Sequence, residues 1–392
     1  MMYVAKSSKS GKASRFLVPA VALLFAFAAQ SANLNTPIIK LGSDASGQQI
    51  QEALDSLPNG GEVDLAPGRY VISQPITLRH DHQVLRGSGP STVLYLADQA
   101  NCPVILLGDA LNRPSHTIMN VRVADLFIDG NRKNQNSELW RSAVDGSELM
   151  NNGVDIWRVN DVSVEHVTCC RCRSGGLVTS EIRRLDLSDF TAYDNQFDGL
   201  ACYLTEESNF SKLHLHDNLA AGISLDLSFN HNTISDSELT GNDLGIFMRA
   251  SRDNVFKGLT ISHSRKDGVF MAQASGGLGL RAGTECTGNH FQGLDISACG
   301  RNAFLVNNAS CTNNIIRDAS FQDNVKGGLA EGDGKPLVVS LLLADSLAHD
   351  KKPDSAPVLE TISEHTGTPA PKAISAVLVQ HGPSDEDDLA TP

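Results

Sequence analysis

The chain has 392 residues, of which 20% are charged, and a formal net charge of −13 at pH 7. This acidic balance, without a basic stripe, excludes a typical nucleic-acid binder, because binding to phosphates requires clustered Lys and Arg. It also means that the surface as a whole does not attract a polyanion, so such a ligand would need a local basic groove.

Residues 1–31 are predicted to be a signal peptide. Four basic residues between positions 6 and 15 precede an apolar stretch from Phe16 to Ala29, and small residues suit cleavage after Ser31. The stretch is short for a membrane span, so we expect export to the periplasm or the exterior and no stable span after cleavage. An uncleaved anchor is the alternative. Loss of the four basic residues changes the formal charge from −13 to −17.

Residues 32–344 are predicted to form the folded domain, which opens with a helix over about residues 47–58. The segment GQQIQEALDSLP places Ile50, Leu54 and Leu57 at helical spacing. We expect this helix to cap the open end of a repeat structure, because terminal units must cover the exposed core and strand edge.

A glycine recurs at strict 23-residue intervals through the middle of the chain. The glycines are Gly153, Gly176, Gly199, Gly222, Gly245 and Gly268. Each opens a short run with alternating apolar residues, and the later turns are rich in Asp and Asn, which suit sharp corners. A repeat of this length without helical periodicity predicts an all-β solenoid, a single-stranded parallel β-helix with coils of about 23 residues.

Two segments depart from the repeat. Residues 131–150 form an insertion between two coils, and insertions of this kind often form one side of a binding face. Residues 345–392 are rich in Pro, Ala, Ser and acidic residues, so we expect this tail to be partly disordered.

The eight cysteines leave two interpretations open. Cys202 lies on an inward-facing position, and Cys169, Cys170 and Cys172 crowd one corner, which is typical of thiols that pack as small apolar groups. Export would instead favour at least one disulfide. Zinc is not expected, because the CCRC cluster lacks the paired spacing of a zinc motif.

The outward-facing positions of the coils are predicted to form one surface column. The column consists of Trp157, Ser180, Tyr203, Asp226, Arg249 and Ala272. Tyr203, Asp226 and Arg249 supply an acid or base, an orienting carboxylate and a cation that can neutralise a substrate carboxylate. The alternative is a surface ion pair beside a packed tyrosine. Burial of this line beneath the insertion or the tail would favour the structural alternative.

Further residues near this column are candidates for substrate binding. They are Asp155, Trp157 and Arg158, Trp140 and Arg141 of the insertion, and His231. Trp157 could stack against a sugar ring. His231 is either a proton carrier or a corner histidine that is bonded to its neighbours.

Several segments resemble the right-handed parallel β-helix proteins of the pectate-lyase-like superfamily. The resemblance rests on GEVDLAPGRYVI, LFIDGNR and coils such as YDNQFDGLACYLTEESNFSKLHLHDN, and it covers roughly residues 40–335. The coil style is closest to the catalytic modules of bacterial mannuronan C5-epimerases. The superfamily includes lyases, epimerases, hydrolases, phage tailspikes and surface proteins, so the resemblance implies a fold more than a reaction.

The catalytic motifs of these families are mostly absent. In the segment NGVDIWR, Asp155 matches the aspartate of the epimerase YGFDPH motif, whereas Trp157 stands where that motif has histidine. The NTD, GHG and RIK segments of polygalacturonase-like hydrolases are not found in the sequence.

Together these features lead us to expect an exported lyase or C5-epimerase that acts on a uronate-containing polysaccharide. The alternatives are a non-catalytic polysaccharide-binding or envelope structural protein, and a glycoside hydrolase with an unrecognised carboxylate pair. No cofactor is certain. Ca²⁺ is the one candidate, because Asp and Asn oxygens are abundant, but the sequence has no compact calcium-loop motif. The polymer and the oligomeric state are left open.

Overall fold

A computed structural model of the chain describes residues 36–108, 116–143, 146, 148–274, 283–332 and 341–342. All of them lie within one structural unit, Thr36–Pro392. The predicted signal peptide and the predicted acidic tail lie outside the described residues.

The chain opens with short strands that pair in parallel with the strands of the following coil. These are β1 (Ile38–Leu41), β2 (Gly61–Leu65), β3 (Gly68–Ile72), β4 (Ile76–Leu78), β5 (Gln83–Arg86), β6 (Thr92–Leu96), β7 (Ile105–Leu107), β8 (Ile118–Met119) and β9 (Arg122–Asp129). The predicted insertion contains an antiparallel hairpin of β10 (Leu139–Arg141) and β11 (Glu148–Met150).

The central coils carry the glycine repeat. Their strands are β12 (Val154–Trp157), β13 (Val159–Cys170), β14 (Leu177–Ser188), β15 (Thr191–Tyr193), β16 (Leu200–Glu206), β17 (Asn209–Ser211), β18 (His214–His216), β19 (Ala221–Asp226), β20 (Phe229–Asn230), β21 (Thr233–Thr240), β22 (Leu244–Arg249), β23 (Ser251–Arg252), β24 (Val255–Ser262) and β25 (Val269–Ala272). The last coils contain β26 (His290–Ser297), β27 (Asn302–Val306), β28 (Ile315–Arg317), β29 (Ser320–Gln322), β30 (Gly327–Glu331) and β31 (Leu341–Leu342).

The strand register confirms the predicted coil length. Val154 pairs with Leu177, Leu177 with Leu200 and Leu200 with Ile223, so each coil advances by 23 residues. These side chains point inward and are fully buried. The fold is therefore a parallel β-helix whose apolar core runs along its axis.

The repeated glycines are explained by contact between successive coils. A Cβ at Gly245 would lie 2.3 Å from the carbonyl oxygen of Gly268 and 2.4 Å from Cγ2 of Ile261. No side chain fits there, because the next coil passes directly beneath this position.

Stacked asparagines hold the corners of the coils. The Nδ2 of Asn195 donates to Oδ1 of Asn218 at 2.9 Å, and the Nδ2 of Asn218 donates to Oδ1 of Asn242 at 2.9 Å. Each of these side chains is buried, so the ladder satisfies polar groups that the turns would otherwise leave without partners.

The predicted cap helix is confirmed as α1 (Gly47–Asp55). Ser46 and Gln49 form a capping box, in which Ser46 Oγ accepts from the Gln49 backbone N–H and Gln49 Oε1 accepts from the Ser46 N–H. Ile50 and Leu54 are fully buried against the first coils. The helix ends earlier than predicted because Pro58 disfavours helical backbone at the residue before it.

All eight cysteines are buried, and each is a free thiol in this structure. In the described part of the chain, no helix is long and apolar enough to cross a membrane.

Candidate functional site

The structure brings the three predicted catalytic residues together on the outward face of the central coils. Trp157 pairs with Ser180, Ser180 with Tyr203 and Tyr203 with Asp226 along the parallel register. Arg249 follows one coil later and forms an ion pair with Asp226. The predicted column therefore exists as one line along the solenoid axis.

The prediction that this column is exposed is wrong. Tyr203 is 4% exposed, Asp226 2% and Trp157 5%. Tyr203 belongs to a small apolar cluster with Val178 and Ala201, against which Leu227 packs. Alternation in a strand assigns a side chain to one side of the sheet, but it does not determine whether that side is solvated.

The Tyr203 hydroxyl lies in this buried face with no hydrogen-bond partner. Burial raises the pKa of Tyr203 well above its ordinary value, and the charges of Asp198 and Asp226 raise it further, while Arg249 lowers it. The phenol is consequently protonated at neutral pH and has a proton to donate.

Asp226 and Arg249 form a partly buried ion pair. The Arg249 Nε donates to Asp226 Oδ2 at 3.0 Å, and Nη2 of the same guanidinium bonds to the same oxygen. The side chain of Arg249 is 25% exposed, and its guanidinium carbon lies 5.0 Å from the centre of the Phe247 ring. The structure therefore contains the ion pair beside a packed tyrosine that the structural alternative predicted, with the difference that the carboxylate is buried.

Two further aspartates lie on this face, each with one oxygen bonded and one without a partner. Asp155 Oδ1 accepts from Asn152 Nδ2 at 2.7 Å, and Asp198 Oδ1 accepts from the Ala221 backbone N–H at 2.8 Å. The Oδ2 atom of each has no partner. Burial raises the pKa of both carboxyls to about 8, so both are predominantly protonated at neutral pH.

Asp198 was not identified from the sequence, and neither were the buried hydroxyls of Ser180 and Ser224, which also have no partner. A weak signal for Asp198 existed. It directly precedes the repeat glycine Gly199, at the position where Asn152 precedes Gly153, and both side chains accept from a backbone N–H of the next coil.

Trp157 and Trp140 lie in a second cluster at one end of the face. Trp157 packs with Leu106 and Leu149, and Trp140 of the hairpin packs against the same cluster. The hairpin therefore covers Trp157 and the first central coil. Arg141 is exposed and pairs with Glu148 across the hairpin, away from this cluster.

Arg158 lies on the neighbouring side of the coil, because its backbone φ of 52° turns the chain directly after Trp157. It pairs with Glu181 at 3.1 Å and lines a cavity of about 330 Å³. Arg183 and Glu206 line the same cavity. His231 is exposed at a corner with φ of 58°, and it is not part of the Tyr203 line.

In the described parts of the chain, no group of three or more His, Cys, Asp or Glu side chains is placed to hold a metal ion. The buried carboxyls on the outward face are not part of such a group within these residues.

The fold and this face define a right-handed parallel β-helix of the kind expected from the sequence. Residues 131–335, more than half of the chain, match the family model described as "Periplasmic copper-binding protein (NosD)". The chain belongs to this NosD family. No curated protein is similar enough to count as a match.

Solved structures confirm the parallel β-helix fold. An alginate lyase from Paenibacillus sp. FPU-7 is 11% identical with a TM-score of 0.55, over 76% of this chain and 98% of the lyase. The enzymatically active domain of tailspike protein 2 of bacteriophage CBA120 is 12% identical with a TM-score of 0.56, over 79% of this chain and 47% of the tailspike.

The A-module of a mannuronan C-5 epimerase from Azotobacter vinelandii is 17% identical, over 77% of this chain and 96% of the module. Its TM-score is 0.46. At these identities the structures establish the fold alone.

Proposed function

We propose that this chain is an exported carbohydrate-active protein that acts on a uronate-containing polysaccharide, by β-elimination or C5 epimerisation. The polymer would lie along the outward face of the central coils, over the line from Trp157 to Arg249.

The observation that carries this proposal is the Tyr203 hydroxyl, which is buried without a partner on the same line as Asp226 and Arg249. Leaving a buried polar group unpaired costs about 1–3 kcal/mol. Such groups in a native protein call for an explanation, and a bound ligand or ordered water supplies it. Five further polar atoms without partners lie on the same face, from Asp155, Trp157, Ser180, Asp198 and Ser224.

The chemistry of this line suits removal of a proton beside a carboxylate. Arg249 supplies positive charge for the substrate carboxylate, and the protonated carboxyls of Asp155 and Asp198 can donate hydrogen bonds to it. Tyr203 is protonated at neutral pH, so it is the group on this line that has a proton for the donating half of the reaction. Asp226 is then the carboxylate on the same line that would accept the C5 proton, or would orient Arg249.

A second candidate function is polysaccharide binding without catalysis, or a structural role in the envelope. The burial of Tyr203 and Asp226 favours it, because a reacting group must be reached by its substrate. The unpaired hydroxyls count against a purely structural face, since a packed interior satisfies its polar groups.

The family description names the periplasm and copper. We extend the periplasmic location to this chain, in agreement with its predicted signal peptide. The residues present do not fit copper in the same way, because in the described ranges the His, Cys, Asp and Glu side chains form no group of three that could hold it.

The proposal is tested by incubating the mature protein with alginate, pectate and other uronans, with and without calcium. Unsaturated ends are followed by ultraviolet absorbance, and C5 exchange is followed by deuterium uptake from heavy water. Absorbance would identify a lyase, and exchange without absorbance an epimerase. Neither signal, together with measurable binding of a polymer, would move the assignment to the second candidate.

A further inference from the structure

Two buried cysteines occupy equivalent places on successive coils near the end of the solenoid. Cys286 precedes His290 by four residues, and Cys311 precedes Ile315 by four residues. His290 and Ile315 are paired in the parallel register of β26 and β28. Both thiols are fully buried in the apolar core.

Hydrogen bonds between the coils fix this alignment at the cysteines themselves. Asn314 Nδ2 donates to the carbonyl oxygen of Cys286 at 3.1 Å, and the Asn289 backbone N–H donates to Asn314 Oδ1 at 3.1 Å. The neighbouring strands of a sheet lie about 4.8 Å apart. That separation falls within the Cα distance of about 4.4–6.8 Å that a disulfide spans.

The two side chains are in mutual contact. The pKa of Cys286 is raised well above its ordinary value, first by burial and then by a hydrogen bond with the Cys311 thiol. Two cysteines of the central coils, Cys169 and Cys202, have no cysteine opposite them in the parallel register. Cys169 pairs with Ala192, and Cys202 pairs with Thr179 and Leu225.

We propose that Cys286 and Cys311 form a disulfide bond when the chain folds in an oxidising compartment, and that this bond fastens two successive coils of the solenoid to each other. The two thiols exchange with the disulfide of a thiol–disulfide oxidoreductase. One S–S bond forms in this chain, and the two protons and two electrons pass to the oxidoreductase, which leaves as a dithiol. Because both sulfurs are buried, the exchange takes place before these coils close over the core.

A disulfide here would stabilise the fold by linking two successive coils. The closed loop spans 25 residues, and a bond of this kind stabilises mainly by restricting the unfolded chain.

The test is a thiol count on the full chain, secreted with its own leader into a bacterial periplasm. The protein is quenched in acid, unfolded in urea, alkylated with iodoacetamide and weighed intact. We expect six alkylated cysteines, since two of the eight are bonded, and eight after prior reduction. Protease digestion without reduction is expected to yield one linked peptide pair that contains Cys286 and Cys311.

Matched variants identify the pair. Cys286→Ala is expected to leave seven alkylated cysteines, because Cys311 is then free. Cys202→Ala is expected to leave five, because the bonded pair is intact. The denaturation midpoint of the wild type is expected to fall on reduction.

Eight alkylated cysteines in the secreted wild type, or a linked pair at other positions, would overturn the proposal. So would a native mass that is increased by a bound copper ion and returns to the protein mass in Cys286→Ala, because the two thiols would then serve as metal ligands. None of these readings depends on whether the outward face binds a polysaccharide.

Discussion

Asp226 and Arg249 lie at the same position of consecutive coils, and both the Nε and the Nη2 of the arginine bond to Oδ2 of the aspartate. Asp226 is 2% exposed, so its charge depends on the guanidinium for compensation. This pair is both a structural requirement of the coil and the charged part of the proposed site.

Removal of the arginine is therefore expected to destabilise the fold. Arg249→Ala should lower the free energy of unfolding by about 3 kcal/mol, because it leaves a buried carboxylate unpaired. The double variant Asp226→Asn with Arg249→Ala should cost less than the sum of the two single variants Asp226→Asn and Arg249→Ala. Urea denaturation of all three checks this, and strictly additive losses would show that the pair is not coupled.

The buried carboxyls of Asp155 and Asp198 predict a dependence of stability on pH. Their pKa values rise from 3.8 in the unfolded chain to about 8 in the fold, so the folded state binds more protons between these values. Their contribution to stability is therefore present below about pH 4 and is lost as the pH rises to about 8.

The substitution Asp198→Asn is expected to remove part of the loss of stability that occurs as the pH rises. The free energy of unfolding of the wild type should fall relative to that of Asp198→Asn between pH 5 and pH 8, by up to about 1.4 kcal/mol for each pH unit. Ser224→Ala lies on the same face without a titrating group and should keep the wild-type slope. Urea denaturation at several pH values decides this, and equal slopes in all three proteins would contradict the raised pKa.

The 23-residue repeat predicted the fold well, because the same contacts between neighbouring coils recur in every repeat. The glycines stand where one coil touches the next, and the alternating apolar residues that follow them form the core. The end of the cap helix was predicted less well, since Pro58 outweighs the helical spacing that extends to Leu57.

The glycine argument is itself testable. Gly245→Ala should destabilise the protein by several kcal/mol or prevent folding, because its Cβ would lie 2.3 Å from a backbone oxygen that cannot move freely. Gly89→Ala is the control, because nothing lies within 4 Å of its Cβ position and only the cost of a positive φ is expected, about 1 kcal/mol. Thermal unfolding of both variants checks this, and similar losses would refute the coil contact as the cause.

The candidate site was only partly predictable. The register placed Tyr203, Asp226 and Arg249 on one line, which the structure confirms. The burial of that line, the position of Asp198 and the hydroxyls of Ser180 and Ser224 depend on how side chains pack across several coils. This packing could not be predicted from a single sequence, because aspartate and serine are residue types that usually lie at the surface.

The two tryptophans provide a probe of the proposed site. Trp140 and Trp157 are the only tryptophans of the chain, and both contact the cluster at one end of the outward face. Binding of a uronate oligosaccharide over this face should change the intrinsic fluorescence in a saturable way. A neutral oligosaccharide of similar length is the control, and an unchanged spectrum at saturating polymer would exclude contact at this end.

The measurement that tests the central claim most directly is turnover of uronans by the wild type, Tyr203→Phe and Tyr193→Phe. Tyr193 lies on another strand, where its ring stacks on His216 with ring centres 4.9 Å apart, so Tyr193→Phe controls for the loss of a phenol elsewhere. We predict that Tyr203→Phe lowers turnover by about 10²- to 10⁴-fold, as expected for a proton-transferring group, while Tyr193→Phe retains the wild-type rate. Wild-type turnover that is undiminished in Tyr203→Phe would contradict the assignment of this face as the active site.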